Sequence, residues 1–190
     1  YGADTVSVLF NKGNGSFEAQ MSRPTGSFPV SVAIGDLDGD DKPDLAVANY
    51  DAETVNVLLG DGKRGFTSVR DLSSPGRPSC VLIDRQTIFV SHYRRYSVSA
   101  LAYMKDTPTG RGPGRVVIQD VDGDSVPDMV IANVDGTVSV LLGQANGTFL
   151  PKQDLNFRSE VTTDIALRDL DGDSHPDIVI AGGRSVRVLW

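Results

Sequence analysis

Hydrophobic and polar residues alternate in several short segments of the chain, and glycine-containing turns separate these segments. Thr137-Val-Ser-Val-Leu-Leu142 and Ser185-Val-Arg-Val-Leu189 show the alternation clearly. A period of two residues places every second side chain on the same face and is typical of β-strands. The chain is therefore predicted to consist of many short strands, which agrees with its 20 glycines and 10 prolines.

The first complete unit of this pattern contains four predicted strands. We place strand A at Val30–Leu37, strand B at Asp44–Asn49, strand C at Thr54–Leu59 and strand D at Phe66–Leu72. The turn Gly60–Gly65 joins strands C and D with residues that favour hairpins. Four antiparallel strands in about 40–50 residues, repeated along a chain, predict the blades of an all-β propeller.

An acidic segment of nine residues lies between strands A and B and occurs three times. The copies are Asp36-Leu-Asp-Gly-Asp-Asp-Lys-Pro-Asp44, Asp120-Val-Asp-Gly-Asp-Ser-Val-Pro-Asp128 and Asp169-Leu-Asp-Gly-Asp-Ser-His-Pro-Asp177. Each copy has carboxylates at its first, third, fifth and ninth positions, where like charges repel unless a cation lies among them. Oxygen-only ligands favour calcium, which accepts about six to eight of them. The segment is therefore predicted to be a calcium-binding loop.

The spacing of the loops identifies a repeat. Asp120 and Asp169 are 49 residues apart, as are Phe17 and Phe66, which each follow a glycine-containing turn. The interval from each such Phe to the next loop identifies Asp84 as the first position of a fourth loop. The other carboxylates of that loop are missing, and we expect a short turn in its place.

The acidic segment differs from an EF-hand. An EF-hand has a bidentate Glu at position 12 and a helix on each side. Here Val47, Ile131 and Ile180 stand at position 12, each inside a predicted strand. The pattern therefore predicts a strand–loop–strand site.

The repeat resembles the FG-GAP/VCBS repeat of the integrin α-subunit N-terminal propellers. The likeness is carried by the acidic loop and by the preceding Gly-x-Phe, as in Asn14-Gly-Ser-Phe17 and Asn146-Gly-Thr-Phe149. It implies that the loop joins the two innermost strands of a blade and binds calcium through side chains at positions 1, 3, 5 and 9 and the backbone carbonyl at position 7. The implied ligands are Asp36, Asp38, Asp40, Lys42 and Asp44 in the first loop, Asp120, Asp122, Asp124, Val126 and Asp128 in the second, and Asp169, Asp171, Asp173, His175 and Asp177 in the third.

Position 6 departs from the family pattern, which has Gly there. This chain has Asp41, Ser125 and Ser174. If the position requires a positive φ angle, Asp tolerates it better than Ser. We therefore expect the second and third loops to be strained or weaker.

The repeat divides the chain into blades. We predict a partial blade at 1–28, a blade with a calcium loop at 29–76, a degenerate blade at 77–112, a blade with a calcium loop at 113–160 and a partial blade with a calcium loop at 161–190. Family propellers have about seven blades, so the resemblance implies about four blades of a larger ring. Neighbouring blades or a second chain would then cover the strand edges at both ends; a closed four-bladed ring is the alternative.

Charge and composition limit the classes of partner. The formal net charge is −7, but about half of the 25 acidic residues lie in the three loops, so the acidity does not imply a basic partner. No apolar run approaches the about 18 residues of a membrane span. The single cysteine, Cys80, is expected to be a buried apolar residue.

The degenerate blade is basic where the others are acidic. Its centre, Tyr93-Arg-Arg-Tyr96, is either a contact for an acidic protein or glycan or a solvated face of a drifted blade. Tyr93, Arg94, Arg95 and Tyr96 are the candidate contacts. Nucleic acid is not expected to bind, because the patch is small and the chain acidic. The segment Lys105–Arg115 is predicted to be a flexible loop between blades.

Two further motifs are weaker. Asn14-Gly-Ser16 and Asn146-Gly-Thr148 fit the N-glycosylation pattern, although turn chemistry also explains them. No nucleophile motif, phosphate loop or Cys/His cluster supports catalysis. Together with the resemblance, these features predict a secreted or cell-surface interaction and adhesion module, non-enzymatic and stabilised by three calcium ions. The alternatives are a lectin-type propeller that binds carbohydrate and, further away, a carbohydrate-active enzyme domain.

Overall fold

The computed structural model describes residues 3–101, 105–157 and 161–190, and the regular structure in these residues is β-strand. The chain divides into two compact units, Tyr1–Ile88 and Phe89–Trp190, and the division falls within one strand, β8. Strands that are consecutive in sequence pair antiparallel within their sheets.

Within the described residues the strands form five sheets, each in chain order. The first pairs β1 (Thr5–Val8) with β2 (Met21–Pro24). Three four-stranded sheets follow: β3 (Pro29–Gly35), β4 (Asp44–Asn49), β5 (Thr54–Gly60) and β6 (Phe66–Ser73); β7 (Pro78–Asp84), β8 (Thr87–His92), β9 (Ser97–Ala100) and β10 (Lys105–Pro108); and β11 (Pro113–Gln119), β12 (Asp128–Asn133), β13 (Thr137–Leu141) and β14 (Gln153–Asn156). The last sheet contains β15 (Thr162–Arg168), β16 (Asp177–Gly182) and β17 (Ser185–Leu189).

The predicted four-stranded unit is confirmed almost residue for residue in β3–β6. Strand B has the predicted bounds, and strands C and D each extend one residue further. Strand A ends two residues earlier than predicted, at Gly35. The reason is that the backbone N–H of Leu37 donates to Asp44 Oδ2 within the acidic loop and not to the strand ladder.

A bulge recurs where strand D begins. Phe66 pairs with Gly60 one residue out of register with the rest of the β5–β6 ladder. Phe17 and Phe149 make isolated bridges to Asn11 and Gly143, again with one extra residue on the Phe strand. The bulge interrupts the regular pairing, and after Phe17 strand β2 begins only at Met21.

The segment Lys105–Arg115 is not the predicted loop. Its first residues form β10, which pairs with β9, and β11 begins at Pro113, so only residues 109–112 connect the two strands. Pro108 is compatible with a strand because β10 lies at the edge of its sheet.

Each unit has an apolar core between two sheets. In the second unit one face of β11–β14 packs against one face of β15–β17; the buried members are Val130, Ala132, Val138, Phe157, Ile165 and Ile180. In the first unit β4 and β5 pack against β1; the core is Leu45, Val47 and Leu58 with Val6, Val8 and Phe66 around it. Cys80 is buried, as predicted.

A buried polar network lies at the end of strand B away from the acidic loop. Asn49 Nδ2 donates to Asn56 Oδ1 over 2.7 Å, and the backbone N–H of Gly26 donates to the same oxygen over 2.8 Å. In the second unit Asn133 Nδ2 and the backbone N–H of Gly110 both donate to Ser139 Oγ over 2.9 Å. The network ties the segment that enters each blade to strands B and C.

The network leaves no space above Gly110. A Cβ atom built on Gly110 would lie 2.4 Å from both Asn133 Nδ2 and Thr137 Oγ1, whereas one built on Gly114 would meet only Ala132 O at 3.7 Å. We expect Gly110→Ala to lower the free energy of unfolding by about 2 kcal/mol, because the polar network must shift. Gly114→Ala is the matched control and should change it by less than about 0.5 kcal/mol. Urea denaturation measures both; equal effects would contradict the packing described.

Candidate metal centres

The three acidic loops occupy the same place in their sheets. They join β3 to β4, β11 to β12 and β15 to β16. The carboxylate at position 1 folds each loop around itself. Asp36 Oδ1 accepts from the backbone N–H of Gly39 over 2.7 Å, and Asp36 Oδ2 accepts from that of Asp41 over 3.1 Å. Asp120 and Asp169 make the same pair of contacts.

The carboxylates at positions 3 and 5 each accept from a backbone N–H two residues further on. Asp122 Oδ1 accepts from Asp124 over 3.2 Å, and Asp124 Oδ1 accepts from Val126 over 2.8 Å. The first and third loops repeat both contacts. These Asx turns direct successive carboxylates into one concave loop.

The carboxylate at position 9 is the buried member of the set. Asp44, Asp128 and Asp177 are 1%, 0% and 5% exposed. Asp128 Oδ2 accepts from the N–H of Val121 over 2.8 Å, and its Oδ1 accepts from the N–H of Gly143 over 2.6 Å. Asp44 binds the N–H groups of Leu37 and Gly60 in the same way. This side chain therefore connects the loop to the end of strand C.

Three groups of carboxylates come close enough to hold a metal ion. Among the described residues, one carboxylate oxygen from each member of a group lies within 4.8 Å of those of the other members; the groups are Asp36, Asp38 and Asp40, then Asp120, Asp122 and Asp128, then Asp169, Asp171 and Asp177. They leave out Asp44, Asp124 and Asp173, which the sequence also predicts as ligands. The predicted role of the backbone carbonyls of Lys42, Val126 and His175 as ligands stays a prediction, because the groups concern side-chain oxygens.

Position 6 has a positive φ angle in every loop. The values are 62° at Asp41, 67° at Ser125 and 73° at Ser174. This is the condition under which we expected the second and third loops to be strained, because Ser adopts this conformation less readily than Asp or Gly.

Crowding of the carboxylates is visible in their acidity. Loss of hydration raises the pKa of Asp122, and the nearby charges of Asp124, Asp128 and Asp120 raise it further. The pKa of Asp38 is raised by loss of hydration and by the charges of Asp40 and Asp44. A cation in the loop would relieve this repulsion.

The first loop also carries its own cation. Lys42 Nζ forms an ion pair with Asp40 Oδ2, and this hydrogen bond lowers the pKa of Asp40. Val126 and His175 stand at the same position in the other loops. Because Asp40 belongs to the first candidate metal group, Lys42 would compete there with a metal ion.

Two glycines that the sequence analysis missed complete the sites. A Cβ atom built on Gly60 or Gly143 would lie 2.2 Å from the backbone oxygen of Pro43 or Pro127. Both glycines donate to the position-9 carboxylate. The recurrence of Gly just after strand C is the sequence signal that could have identified them.

The degenerate repeat has the short turn that was predicted. β7 ends at Asp84 and β8 begins at Thr87, with φ angles of 42° at Arg85 and 64° at Gln86. Two successive positive φ angles are the mark of a tight type I′ hairpin turn. Asp84 therefore has no acidic loop around it.

The other predicted sites lie away from the acidic loops. Tyr93, Arg94, Arg95 and Tyr96 form the exposed turn between β8 and β9. Asn146 is exposed, but its Oδ1 accepts from the N–H and the hydroxyl of Thr148, and Asn14 makes the same contacts to Ser16. Turn chemistry thus accounts for both asparagines, and glycosylation stays a prediction.

The repeat pattern matches a known family. The family model described as FG-GAP-like repeat matches residues 1–47 and 120–180, which is more than half of the chain. The chain belongs to the FG-GAP-like repeat family. A search of curated protein sequences gives no significant match.

Several solved structures share the fold of this FG-GAP-like chain. The crystal structure of BBS1N in complex with ARL6DN, soaked with mercury, has a TM-score of 0.64 and 13% identity over 94% of this chain and 55% of that one. A protein from Lactobacillus plantarum has a TM-score of 0.64 and 16% identity over 99% and 61%. The Dos1 propeller has a TM-score of 0.53 and 13% identity over 83% and 43%.

The likeness to these structures shows the fold, a β-propeller of antiparallel blades, and confirms the predicted fold class. The chain spans 43–61% of the length of these three structures. In the described ranges, no helix is long and apolar enough to cross a bilayer.

Asp128→Asn tests the buried anchor. An amide has one acceptor oxygen, so it cannot accept from both Val121 and Gly143, and its NH2 group would face a backbone N–H. We expect a loss of about 1–3 kcal/mol in the free energy of unfolding even with a chelator present. Asp124→Asn, which keeps its one accepted hydrogen bond, is the control and should cost little under the same conditions. Equal losses in urea denaturation would refute the anchoring role.

Asp122→Asn tests whether repulsion between the crowded carboxylates of the second loop weakens the fold. Because the folded-state pKa of Asp122 is raised, ionisation of this group weakens the fold as pH rises through its unfolded value of 3.8. The variant keeps the oxygen that accepts from Asp124 but removes the charge. We expect a higher melting temperature than the parent in chelator at pH 7 and a smaller gain on adding calcium. A lower melting temperature in chelator would count against the repulsion argument.

Proposed function

We propose that this chain is a calcium-stabilised extracellular module that binds a protein partner and has no catalytic role of its own. The observation that carries the proposal is the threefold recurrence of an all-carboxylate group in one strand–loop–strand setting. Calcium prefers such oxygen ligands, whereas zinc sites contain His or Cys. Calcium modules of low affinity, about 10⁻⁴–10⁻³ M, suit the extracellular space.

Calcium would act here as a structural cross-link. The ion would be held by the side chains at positions 1, 3, 5 and 9 and by the carbonyls of Lys42, Val126 and His175. Position 9 already connects the loop to strand C through buried hydrogen bonds. A bound cation would supply the positive charge that offsets the repulsion between the crowded carboxylates. The loop joins strands A and B, and position 9 binds the end of strand C, so the ion would hold these three strands of one blade together.

A protein partner is supported by comparison. BBS1N, which shares the fold, was crystallised in complex with ARL6DN. Propeller blades hold their loops on a rigid scaffold, and such loops commonly carry binding residues. Adhesion is the role that the integrin-like resemblance suggests for this chain, and neighbouring blades or a second chain are proposed at its outer strands.

Carbohydrate binding is the second candidate, because one cavity in the second unit fits it. The cavity has a volume of about 560 Å³ and combines an aromatic ring with polar groups; Phe149, Met129, Asn146, Thr148 and Lys152 contribute to its wall. A glycan array separates the candidates. Reproducible binding of one sugar class, lost in Phe149→Ala, would favour the lectin function.

Calcium should raise the melting temperature. With calcium at about ten times Kd each site contributes about 1.4 kcal/mol, or about 4 kcal/mol for three sites. For a chain of this size we expect a rise of about 10 °C over chelator in a thermal unfolding experiment. Magnesium at the same concentration should give much less, because it demands smaller and more regular geometry.

Single substitutions at position 1 of each loop measure how much that loop contributes to the calcium-dependent rise in melting temperature. The variants are Asp36→Ala, Asp120→Ala and Asp169→Ala. Each should remove about one third of the calcium-dependent gain. Lys42→Val places in the first loop the residue that the second loop has at this position, Val126. It should increase the contribution of the first loop to the calcium-dependent gain, because the competing ammonium group is removed. The proposal fails if calcium leaves the melting temperature of the parent chain unchanged.

A further inference from the structure

The turns between strands B and C differ in charge although they are built alike. Residues 50–53, Tyr-Asp-Ala-Glu, join β4 to β5, and residues 93–96, Tyr-Arg-Arg-Tyr, join β8 to β9. Each turn has four residues, starts with Tyr and follows a buried polar residue, Asn49 or His92. At the two central positions Arg94 and Arg95 stand where the first turn has Asp51 and Ala52.

An arginine of the first unit packs against the acidic turn of that unit. Arg77 enters from the segment before β7 and lies over the ring of Tyr50, 4.9 Å from its centroid. Arg77 Nη2 also lies 3.8 Å from Asp51 Oδ1. One arginine thus covers the tyrosine and offsets a charge of the turn.

The basic turn of the second unit has a glycine where that arginine would be. Gly112, like Arg77, has a positive φ angle and precedes the proline that begins the next strand A. A Cβ atom built on Gly112 would lie 3.1 Å from Tyr93 Cε2. The side chain of Tyr93 is 38% exposed.

The segment before β11 adds a third arginine to the turn. The N–H of Thr109 donates to Tyr96 O over 2.8 Å, and Gly110 is held in the buried polar network. Gly112 touches Tyr93, so residues 109–112 run alongside the turn. Arg111 is exposed between these two contacts, and its N–H donates to Asp135 Oδ2 over 2.7 Å. The surface therefore includes Arg94, Arg95 and Arg111 together with Tyr93 and Tyr96, and Asp135 lies beside Arg111.

Tyr96 is held in an unfavourable backbone conformation. Its φ angle is 53°, in the left-handed region that disfavours bulky residues. The same position before strand C is Gly136 in the next blade, with a φ of 82°. The side chain of Tyr96 is 43% exposed, so core packing does not require its ring. Glu53 has the same φ angle of 53° at this position in the first unit, so the turn geometry imposes the conformation, and the exposed aromatic ring is what distinguishes the second turn.

We propose that Tyr93, Arg94, Arg95, Tyr96 and Arg111 form a docking surface for an acidic peptide segment of a protein partner. Guanidinium groups bind carboxylates in paired hydrogen bonds, and tyrosine rings pack on the extended backbone between them. This proposal rests on the proposed role as an interaction module and is independent of calcium.

Fluorescence anisotropy with fluorescein-labelled hexaglutamate tests the surface, with hexaglutamine as the neutral control. The triple variant R94D/R95A/Y96E gives the second turn the sequence of the first and is the matched replacement. We expect hexaglutamate to bind the parent chain, to bind the triple variant at least tenfold more weakly and to weaken with salt. Arg111→Ala should reduce binding severalfold.

Tyr96→Gly separates binding from folding. Glycine is at ease at a positive φ angle, so the melting temperature should stay equal or rise while hexaglutamate binding falls. Equal binding of hexaglutamate by the parent and the triple variant would overturn the proposal, as would binding of a heparin-derived decasaccharide with none of hexaglutamate. If hexaglutamate fails while a protein partner still binds and calcium still raises the melting temperature, only this surface is wrong and the module function stands.

Discussion

The carboxylate that begins strand B is the interaction on which the blades with an acidic loop depend. Asp44 and Asp128 are buried, and each accepts backbone hydrogen bonds from the loop before it and from the end of strand C. A buried charge is tolerated only when it is hydrogen-bonded in this way. The carboxylate therefore sets the end of strand A, and its partner glycine leaves no room for a side chain beside the proline carbonyl.

The same anchor creates the electrostatic problem that a metal would solve. Once position 9 is fixed, the fold of the loop brings the carboxylates at positions 1 and 3 to within 4.8 Å of it in the second and third loops. Loss of hydration raises the pKa values of Asp38 and Asp122, and repulsion from the neighbouring carboxylates raises them further. Where the acidic loop is replaced by the Arg85–Gln86 turn, no such cluster arises.

The two ends of strand B serve different purposes. The acidic loop at one end has nearly the same sequence and hydrogen bonds in three sheets. The turn at the other end varies from Tyr-Asp-Ala-Glu to Tyr-Arg-Arg-Tyr over a common buried network. Because the loop end is constant, the other end can change its charge without changing the scaffold, and this is the end where we propose a docking surface.

Much of this arrangement could be predicted from the sequence because the same pattern of residues occurs in several copies of the repeat. The strands around Asp44 and the lost loop at Asp84 follow from spacing and local residue preference, and the positive φ at Ser125 meets the condition that the family's Gly at position 6 suggested. The bulge at Phe17, the strand at Lys105 and the role of Gly143 did not follow, because each depends on pairing or close approach between segments distant in sequence. The buried network of Asn133 and Ser139 was missed for the same reason.

Counting the bound ions tests the central claim most directly. Calorimetric titration of the metal-free chain with calcium measures the number of sites without reference to stability or to a partner. We expect three calcium ions per chain, falling to two when Asp36, Asp120 or Asp169 is replaced by alanine. A chain that binds no calcium at millimolar concentrations would show that the acidic loops are not calcium sites.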